Sequence, residues 1–306
     1  MQTVWYLVKL CSSLLAGALF SRLVGREKFR LTANLAGDIV LYALLFFMGV
    51  NTAQIPDISH QIAQIGLDAL LATLLVIVGS ILSAGLLALV LHRKSSSRER
   101  IRQPISWGRL KTPLCMIGTV VIGFILGFYS PLFDWFNPSM VTIILYLLLF
   151  TVGMQMIQNE VNLVPLLKSP LMLLLPLSTI IGSYLGAIFL PLISSYSVRE
   201  SLTLVSGFGW YSLSGTLISG LGNPQLGAVS FLSNLFRESF SFILIPLLAT
   251  FSHLSYSAVS IAGATSMDVT LPILKKSLGE TIVPLAITHG VLMTLAAPLL
   301  IPLWFK

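Results

Sequence analysis

The amino-acid sequence predicts an all-α polytopic membrane protein. Only 29 of its 306 residues are charged, whereas 56% are hydrophobic, and charged residues make up about a quarter of an ordinary globular chain. The hydrophobic residues are grouped in runs of the length, roughly 20 residues, that one helix needs to cross a bilayer. We therefore exclude a soluble protein and expect residues 1–306 to form one integral membrane domain.

Eight apolar runs are predicted to span the membrane as helices. Helices can cross lipid because they satisfy their own backbone hydrogen bonds. The runs cover residues 4–22, 31–52, 66–91, 113–133, 138–158, 169–192, 226–251 and 281–305.

Basic residues predict the orientation of these spans. Eleven of the 18 Lys and Arg residues fall in two stretches, 22–30 and 93–111, and each stretch lies between apolar runs. The positive-inside rule places both stretches in the cytoplasm, which requires the N-terminus and the C-terminus to be outside. Topology thus accounts for the net charge of +7, and we expect no nucleic-acid partner.

Two further segments are apolar but interrupted. Residues 201–220 contain four glycines and five serines, and residues 258–274 contain Gly263, Asp268 and Pro272. A backbone that breaks its helix at membrane depth needs protein or a water-filled cavity around it. We expect two re-entrant or broken-helix segments, the first entering from outside and the second from the cytoplasm. The alternative is two complete crossings, which gives ten spans.

The two halves of the first six spans resemble each other weakly. YALLFFMGV at 42–50 matches YLLLFTVGM at 146–154 with an offset of 104 residues. Three spans separate the copies, so they face opposite ways, as in the inverted repeats of secondary transporters. Chance similarity between two Leu-rich helices is the alternative. The predicted organisation is repeats 1–100 and 105–195, followed by re-entrant-plus-helix units 201–251 and 258–305.

Ionisable residues at membrane depth are functional candidates because lipid cannot solvate them. Asp268 lies at the predicted break of the second interrupted segment, between Ser266 and Thr270. The seventh span carries polar residues at helical spacing, which indicates a face turned toward a bundle interior. These residues are Ser230, Asn234, Arg237, Glu238 and Ser241.

Each candidate also has a structural interpretation. Glu238 could neutralise Arg237 as a packing pair, and Asp268 could cap a half-helix. Asp38 shares a face of the second span with Asn34 and Tyr42 but could be a solvated helix start. His289, in the last span, is a candidate proton carrier or a hydrogen-bonded core histidine. Asp68, near the start of the third span, is expected at the interface.

Signatures of enzymes and metal sites are missing from the sequence. There is no HExxH, nucleophile elbow or Walker motif, and the Gly-x-Gly of the first interrupted segment is followed by Trp210, where an intramembrane protease would have aspartate. Cys11 and Cys115 lie in apolar runs without metal-binding spacing, and we expect two buried thiols and no cofactor. A membrane enzyme that uses the two acids as general acid and base remains an alternative.

A carboxylate in such a site can hold either a proton or a cationic substrate, and mutual exclusion of the two is proton antiport. The C=O ends of broken helices favour an ammonium group and their N–H ends a carboxylate. We expect the backbone of the first interrupted segment to complete the site. Its candidate residues are Gly207, Gly209, Trp210, Tyr211 and Ser212. These features do not distinguish lysine from sodium or a polyamine.

Several strings closely resemble the bacterial lysine exporter family LysO. They are GFGWYSLSG (207–215), NLFRE (234–238), GATSMDVTLPIL (263–274) and IVPLAITHG (282–290), with weaker likeness in LFFMG (45–49) and VVIGFILG (120–127).

The resemblance implies an inner-membrane exporter of L-lysine and of analogues such as thialysine, with the proton as coupling ion. It also implies that Glu238 and Asp268 are essential intramembrane acids, whereas Asp38 lies outside the strongest match. Export of another cationic or neutral amino acid, coupled to sodium, is the alternative. The resemblance does not indicate an oligomeric state.

Overall fold

The described part of the chain is entirely helical. The computed structural model describes residues 2–24, 30–54, 58–91, 111–133, 135–136, 138–158 and 169–305. Its twelve α-helices are α1 (Gln2–Val24), α2 (Arg30–Ala53), α3 (Ile58–Val90), α4 (Lys111–Tyr129), α5 (Pro138–Gln158), α6 (Pro170–Ala187), α7 (Val198–Val205), α8 (Tyr211–Gly220), α9 (Pro224–Leu248), α10 (Ser255–Ala262), α11 (Leu271–Leu278) and α12 (Val283–Trp304).

The helices confirm the predicted class, an all-α polytopic membrane protein. Each of the eight predicted spans coincides with one helix, namely α1 to α6, α9 and α12. Five segments are both long enough and apolar enough to cross a bilayer: Leu35–Ala53, Gln61–Val90, Pro170–Leu192, Pro224–Leu248 and Glu280–Trp304. Shorter apolar helices lie at Gly118–Tyr129 and Thr142–Gln155. Residues 25–29 and 92–110, which carry most of the basic residues that predict orientation, lie outside the described part.

The chain divides into two compact units. The first comprises Met1–Ile62, Thr112–Asn162 and Gly215–Ala228, and the second comprises Ala63–Lys111, Leu163–Ser214 and Val229–Lys306. The first unit thus holds α1, α2, α4 and α5, together with most of α8 and the first residues of α9. The second holds most of α3 and α9 together with α6, α7 and α10 to α12.

In the first unit, glycines bring two pairs of helices into backbone contact. A methyl group on Gly17 of α1 would collide with the carbonyl of Phe150 on α5, and one on Gly153 would collide with the carbonyl of Leu14. Ser13 also donates to the carbonyl of Tyr146, at 2.6 Å. The contacts advance together along both helices, so α1 and α5 run parallel.

The pair α2 and α4 packs in the same way. Gly49 lies against the carbonyl of Val120, and Gly123 lies against the carbonyl of Phe46. Each of the four residues in these two contacts corresponds to a residue in the contacts between α1 and α5. Leu14 and Gly17 correspond to Val120 and Gly123, 106 residues later, and Phe46 and Gly49 correspond to Phe150 and Gly153, 104 residues later.

In the second unit, α3 and α6 cross in an antiparallel arrangement. Gly79 meets Gly182 at the crossing, and the hydroxyls of Ser80 and Ser183 are 3.3 Å apart. In both pairs the residue on α6 lies 103 residues after its partner on α3. The same offset of 103 residues relates the contact on one side of the crossing to the contact on the other side, because it takes Leu75 to Ser178 and Ser83 to Gly186. The flanking contacts are Leu75 with Gly186 and Ser83 with Ser178.

The other long helices of the second unit run along these two. Thr73 of α3 bonds Ser233 of α9 at 2.9 Å. Two turns farther along α3 and one turn farther along α9, Ser80 and Arg237 share Ser183 as a partner. Since both sets of contacts advance in the same direction, α9 runs parallel to α3. Contacts of α6 with α12, at Thr179–His289 and Tyr184–Trp304, also advance together. Because α6 is antiparallel to α3, α12 runs antiparallel to α9.

Residues 198–220 form a helical hairpin, which we call the first hairpin. Its arms are α7 and α8, and its tip is the turn Ser206–Trp210. The carbonyl of Leu204, just before the tip, accepts from Ser230 well inside α9. Three residues link the end of α8 to the start of α9. The hairpin therefore opens toward the side on which α9 begins.

Residues 255–278 form the second hairpin, with arms α10 and α11 and the tip Gly263–Thr270. Ser257 and Ser260 donate to the carbonyls of Ile81 and Ser80, so α10 runs antiparallel to α3 and begins where α9 ends. A short turn links α11 to the start of α12. The second hairpin thus opens toward the side opposite the first.

Candidate functional site

The tips of the two hairpins touch. The backbone N–H of Ala264 donates to the carbonyl of Phe208 at 2.8 Å. Both tips need left-handed backbone, with φ of 48° at Phe208, 96° at Gly209 and 61° at Gly263. A side chain on Gly263 would collide with the Phe208 carbonyl, so glycine permits this close approach.

Asn234 on α9 binds the first tip. Its Oδ1 accepts from the N–H of Gly209 at 2.7 Å, and its Nδ2 donates to Ser214 at 3.2 Å. A methyl group on Gly207 would lie 2.6 Å from that Nδ2. One turn earlier, Ser230 donates to the Leu204 carbonyl at 2.7 Å. These side chains satisfy backbone groups that the interrupted helix leaves open.

Arg237, one turn beyond Asn234, binds the end of α10. Its Nε donates to the carbonyl of Ile261 and its Nη2 to the carbonyl of Ser260, both at 2.9 Å. Its Nη1 donates to Ser183 at 3.3 Å. Arg237 is 2% exposed. The salt bridge found among the described residues joins Lys275 and Glu280 instead, so Arg237 pairs with neither Glu238 nor Asp268.

Glu238 differs from the rest of this polar stripe. Its side chain is 1% exposed, and neither carboxylate oxygen has a hydrogen-bond partner among the described residues. Asp268, at the second tip, lies within electrostatic range of it. The Asp268 side chain is exposed and accepts from the N–H of Val269 at 2.5 Å. One carboxylate is thus open to the surroundings, and the other lies buried near it.

His289 on α12 is hydrogen-bonded through both ring nitrogens. Its Nε2 lies 2.9 Å from the hydroxyl of Thr179 and its Nδ1 lies 3.1 Å from the hydroxyl of Ser266. Thr179 is in turn 2.7 Å from the hydroxyl of Ser260, the residue whose carbonyl binds Arg237. His289 therefore belongs to a buried network that ties the second tip to α6.

The other predicted site residues differ in burial and in hydrogen bonding. Ser266 donates to the Ala286 carbonyl at 2.8 Å, and Thr270 donates to the Thr265 carbonyl at 2.9 Å, so both hydroxyls serve the fold of the second tip. In the first hairpin Trp210 is half-buried. Tyr211 and Ser212 are buried. Asp38 lies in the first unit, where it is exposed, and the side chain of Asn34 lies outside the described part.

Asp68 is 1% exposed and accepts from Gln64 at 2.8 Å, and the hydroxyl of Tyr196 bonds it as well. It is a buried partner of the α6–α7 connection, and its position at the membrane interface stays a prediction.

The expectation of two buried thiols needs correction. Cys115 is a free thiol but is exposed, because it lies on an outer face of α4. The side chain of Cys11 is outside the described part.

Sequence reasoning missed the serines and the threonine that surround Arg237 and His289. These are Ser80, Thr179, Ser183 and Ser260, all 0% exposed. Small hydroxyl residues are common in transmembrane helices, where they bond backbone or pack closely. Their presence in otherwise apolar spans was a usable signal, but their mutual contacts depend on how α3, α6 and α10 cross.

Two interrupted helices that meet tip to tip beside a buried carboxylate are typical of membrane transporters. Irregular backbone at membrane depth is found where it lines a binding site, and carriers build their sites from such half-helices.

The family follows from comparison with known proteins. The family model of the lysine exporter LysO matches residues 11–109 and 117–305, and the chain belongs to that family. It is 32% identical over 263 residues to the lysine exporter LysO of Escherichia coli K12, covering 86% of this chain and 87% of the relative. It is 37% identical over 192 residues to a Haemophilus influenzae protein provisionally named as a lysine exporter, and the match covers 61% of this chain and 94% of the relative. No solved structure matches.

Proposed function

We propose that this protein exports L-lysine across the bacterial inner membrane in exchange for protons, by alternating access. The observation that carries the proposal is the Glu238 carboxylate, which is buried without a hydrogen-bond partner among the described residues. An unpaired buried carboxylate is costly unless it binds a proton or a cation. The family of the chain supports lysine as the cation.

The rest of the α9 stripe supports Glu238 as the binding group. Ser230 and Asn234 are engaged with the first tip, and Arg237 is engaged with the second. Glu238 is therefore the member of the stripe whose polar atoms remain for a ligand. Asp268 supplies a second acid on the exposed side.

The exchange follows from the two carboxylates. When the site is open to the cytoplasm, the ammonium of lysine displaces the proton from the acids. When the site is open to the outside, a proton displaces the lysine. Because two nearby carboxylates repel when both are ionised, the empty and fully ionised site is disfavoured, which couples the two movements.

We propose that the two hairpins are re-entrant, within a membrane domain of eight spans. Both hairpin tips lie in the second unit. Three residues separate the end of the α8 arm from the start of α9, and α10 begins where α9 ends, which supports entry from opposite sides. The proposed orientation has both termini outside, as the positive-inside rule predicts. The alternative of ten complete crossings requires α7 with α8, and α10 with α11, to continue in one direction.

We also propose the inverted repeat, 1–100 against 105–195, followed by the units 201–251 and 258–305. Contacts within each unit support it. The α1–α5 pair and the α2–α4 pair use corresponding glycines and carbonyls. In the second unit, the two contacts that flank the crossing of α3 and α6 are related to each other by one offset of 103 residues. Repeats of this kind are frequent in secondary transporters.

Transport by reconstituted vesicles tests the function. Purified protein is placed in vesicles loaded with labelled lysine, and an acidic compartment is set on the side that corresponds to the outside. We expect the gradient to drive lysine out, and Glu238→Gln or Asp268→Asn to reduce that flux at least about 100-fold, since removal of a charged partner costs about 3 kcal/mol or more.

Glu280→Gln is the matched control. Glu280 is an exposed carboxylate whose partner is Lys275, and its loss should leave transport within about twofold of the wild type. Counterflow against arginine, ornithine and alanine defines the substrate range. Normal transport by both neutral variants would show that Glu238 and Asp268 are not the binding acids.

A further inference from the structure

Arg237 is a buried cation that no carboxylate neutralises among the described residues. It is 2% exposed, and burial of an unpaired charge is expensive. Its donors go to the carbonyls of Ser260 and Ile261 and to the hydroxyl of Ser183. Its counter-charge must therefore come from backbone dipoles.

The two carbonyls lie at the end of α10, where the helix is interrupted. The last four carbonyls of a helix lack partners inside it, and the aligned peptides leave about half a negative charge there. The turn at Gly263 ends α10 in the interior of the second unit, where residues 255–266 are all buried. This end is a ready site for a cation.

Carriers with interrupted helices commonly bind their coupling Na⁺ at such ends, through the carbonyls of unwound backbone. Here the guanidinium fills that position. Carbon Cζ of Arg237 would lie 3.5 Å from a methyl group placed on Gly263, so the side chain reaches the turn itself. A metal ion that used the same carbonyls would have to displace it.

The ionisable groups near the hairpin tips nearly balance in charge. Glu238, Asp268 and Arg237 together carry one net negative charge when all three are ionised. His289 is bonded to hydroxyls at both ring nitrogens, which a neutral ring satisfies. The buried Asp68 is bonded by Gln64 and Tyr196, which both lie outside the two hairpins. One proton or one lysine cation then makes the site neutral.

We propose that Arg237 is a resident cation that takes the place of a coupling metal ion, so that one lysine exchanges for one proton alone. That exchange is independent of sodium, and it is electroneutral because lysine and the proton each carry one positive charge. This inference rests on the proposed lysine–proton exchange. Arg237 acts as a positioning residue, since it holds the end of α10 and sets the charge of the site without touching the substrate.

Vesicles with a potassium gradient and valinomycin test the charge movement. A potential of about 100 mV changes the final lysine gradient about 50-fold if each cycle moves one net charge, and does not change it if the cycle is electroneutral. We expect wild-type gradients that are unchanged by the potential and by replacement of sodium with choline.

Variants of Arg237 separate its charge from its packing. Arg237→Gln removes the charge, and we expect exchange at least tenfold slower that sodium partly restores. Arg237→Lys keeps the charge but cannot bond both carbonyls and Ser183 as a fork, so we expect slower exchange without sodium stimulation. If Arg237→Gln does not fold, the measurements on the wild type and on Arg237→Lys still test the role of Arg237.

The outcomes are distinguishable. Wild-type lysine–proton exchange that requires sodium, or that follows the potential, overturns the role of Arg237 and leaves the proposed function intact. A wild-type protein that does not couple lysine to protons overturns the proposed function, and the charge balance with it. A glutamine variant with wild-type rate and no response to sodium also overturns the role of Arg237.

Discussion

Arg237 and Glu238 are consecutive on α9 and both buried, yet they do not pair with each other. The guanidinium donates to the end of α10, and the carboxylate has no hydrogen-bond partner among the described residues. Successive residues of a helix point about 100° apart, so the two charges face different neighbours. One charge supports the fold of the second hairpin, and the other is the group that we propose binds the substrate.

Substitution of Gly207 by alanine should damage the first tip. The added methyl group would lie 2.6 Å from both Asn234 Nδ2 and Ser214 Cβ, and relief of that clash moves Asn234 away from the Gly209 N–H. We expect a loss of about 1–3 kcal/mol and slower lysine exchange, measured by thermal unfolding in detergent and by vesicle transport. Gly66→Ala is the control, because nothing lies within 4 Å of its added methyl group. Equal stability of the two variants would contradict the packing argument.

The sequence alone singles out Glu238 and Asp268 as candidates because charged residues are scarce in the predicted spans. Few charges fall inside apolar runs, and lipid forbids unpaired ones, so Glu238 and Asp268 stand out without any structure. The partners of Arg237 could not be found in this way. They are backbone carbonyls, which every residue has, and their availability depends on where α10 ends.

Asp68 shows a second limit of the sequence. Its position near the start of an apolar run predicts its depth in the membrane but not its partner, because Tyr196 bonds it from a connection 128 residues away. No local pattern predicts such a pairing. The hairpins were easier to predict, since Gly and Ser interrupt both segments and Pro272 also interrupts the second. The direction in which each segment returns depends on tertiary contacts.

His289→Gln should leave the pH dependence of exchange unchanged. The ring is bonded to Thr179 and Ser266, so we expect a structural role that an amide partly replaces. Vesicle transport across a pH series should give parallel profiles for the variant and the wild type. His289→Leu should lower stability by about 1–3 kcal/mol, because it leaves hydroxyls with fewer partners. A shifted pH profile in the glutamine variant would instead make His289 a proton carrier.

Tyr196 should make stability fall at high pH. Burial, together with the nearby Asp68 carboxylate, raises the pKa of Tyr196 above its ordinary value of 10. Below pH 10 the hydroxyl is protonated in both the folded and unfolded states, and its bond to Asp68 is fully stabilising. Above pH 10 the unfolded chain loses that proton first, so stability declines as pH rises.

Thermal unfolding from pH 8 to pH 11 measures this effect. Tyr196→Phe should be about 1 kcal/mol less stable than the wild type near pH 8, and the two should converge as pH rises above 10. Tyr129→Phe is the control, since Tyr129 is 80% exposed and its loss should leave the curve unchanged. A constant difference between Tyr196→Phe and the wild type at every pH would show that the hydroxyl contributes no linked proton.

Corresponding glycines of the proposed repeat should be equally sensitive to substitution. Gly49→Ala and Gly153→Ala each place a methyl group against a backbone carbonyl of the partner helix. A carbonyl cannot move aside as a flexible side chain can, so we expect each variant to lose about 1–3 kcal/mol, within a factor of two of the other.

The second corresponding pair, Gly17→Ala and Gly123→Ala, should show the same agreement, because each glycine meets a phenylalanine carbonyl on its partner helix. Thermal unfolding of the four variants in detergent provides the comparison. Gly118→Ala lies on α4 in open space and should be as stable as the wild type or more stable, since alanine favours a helix by up to about 1 kcal/mol over glycine. If one member of a pair tolerates alanine while its counterpart unfolds, the two contacts are not equivalent, and the likeness of the repeats would be a coincidence of two Leu-rich helices.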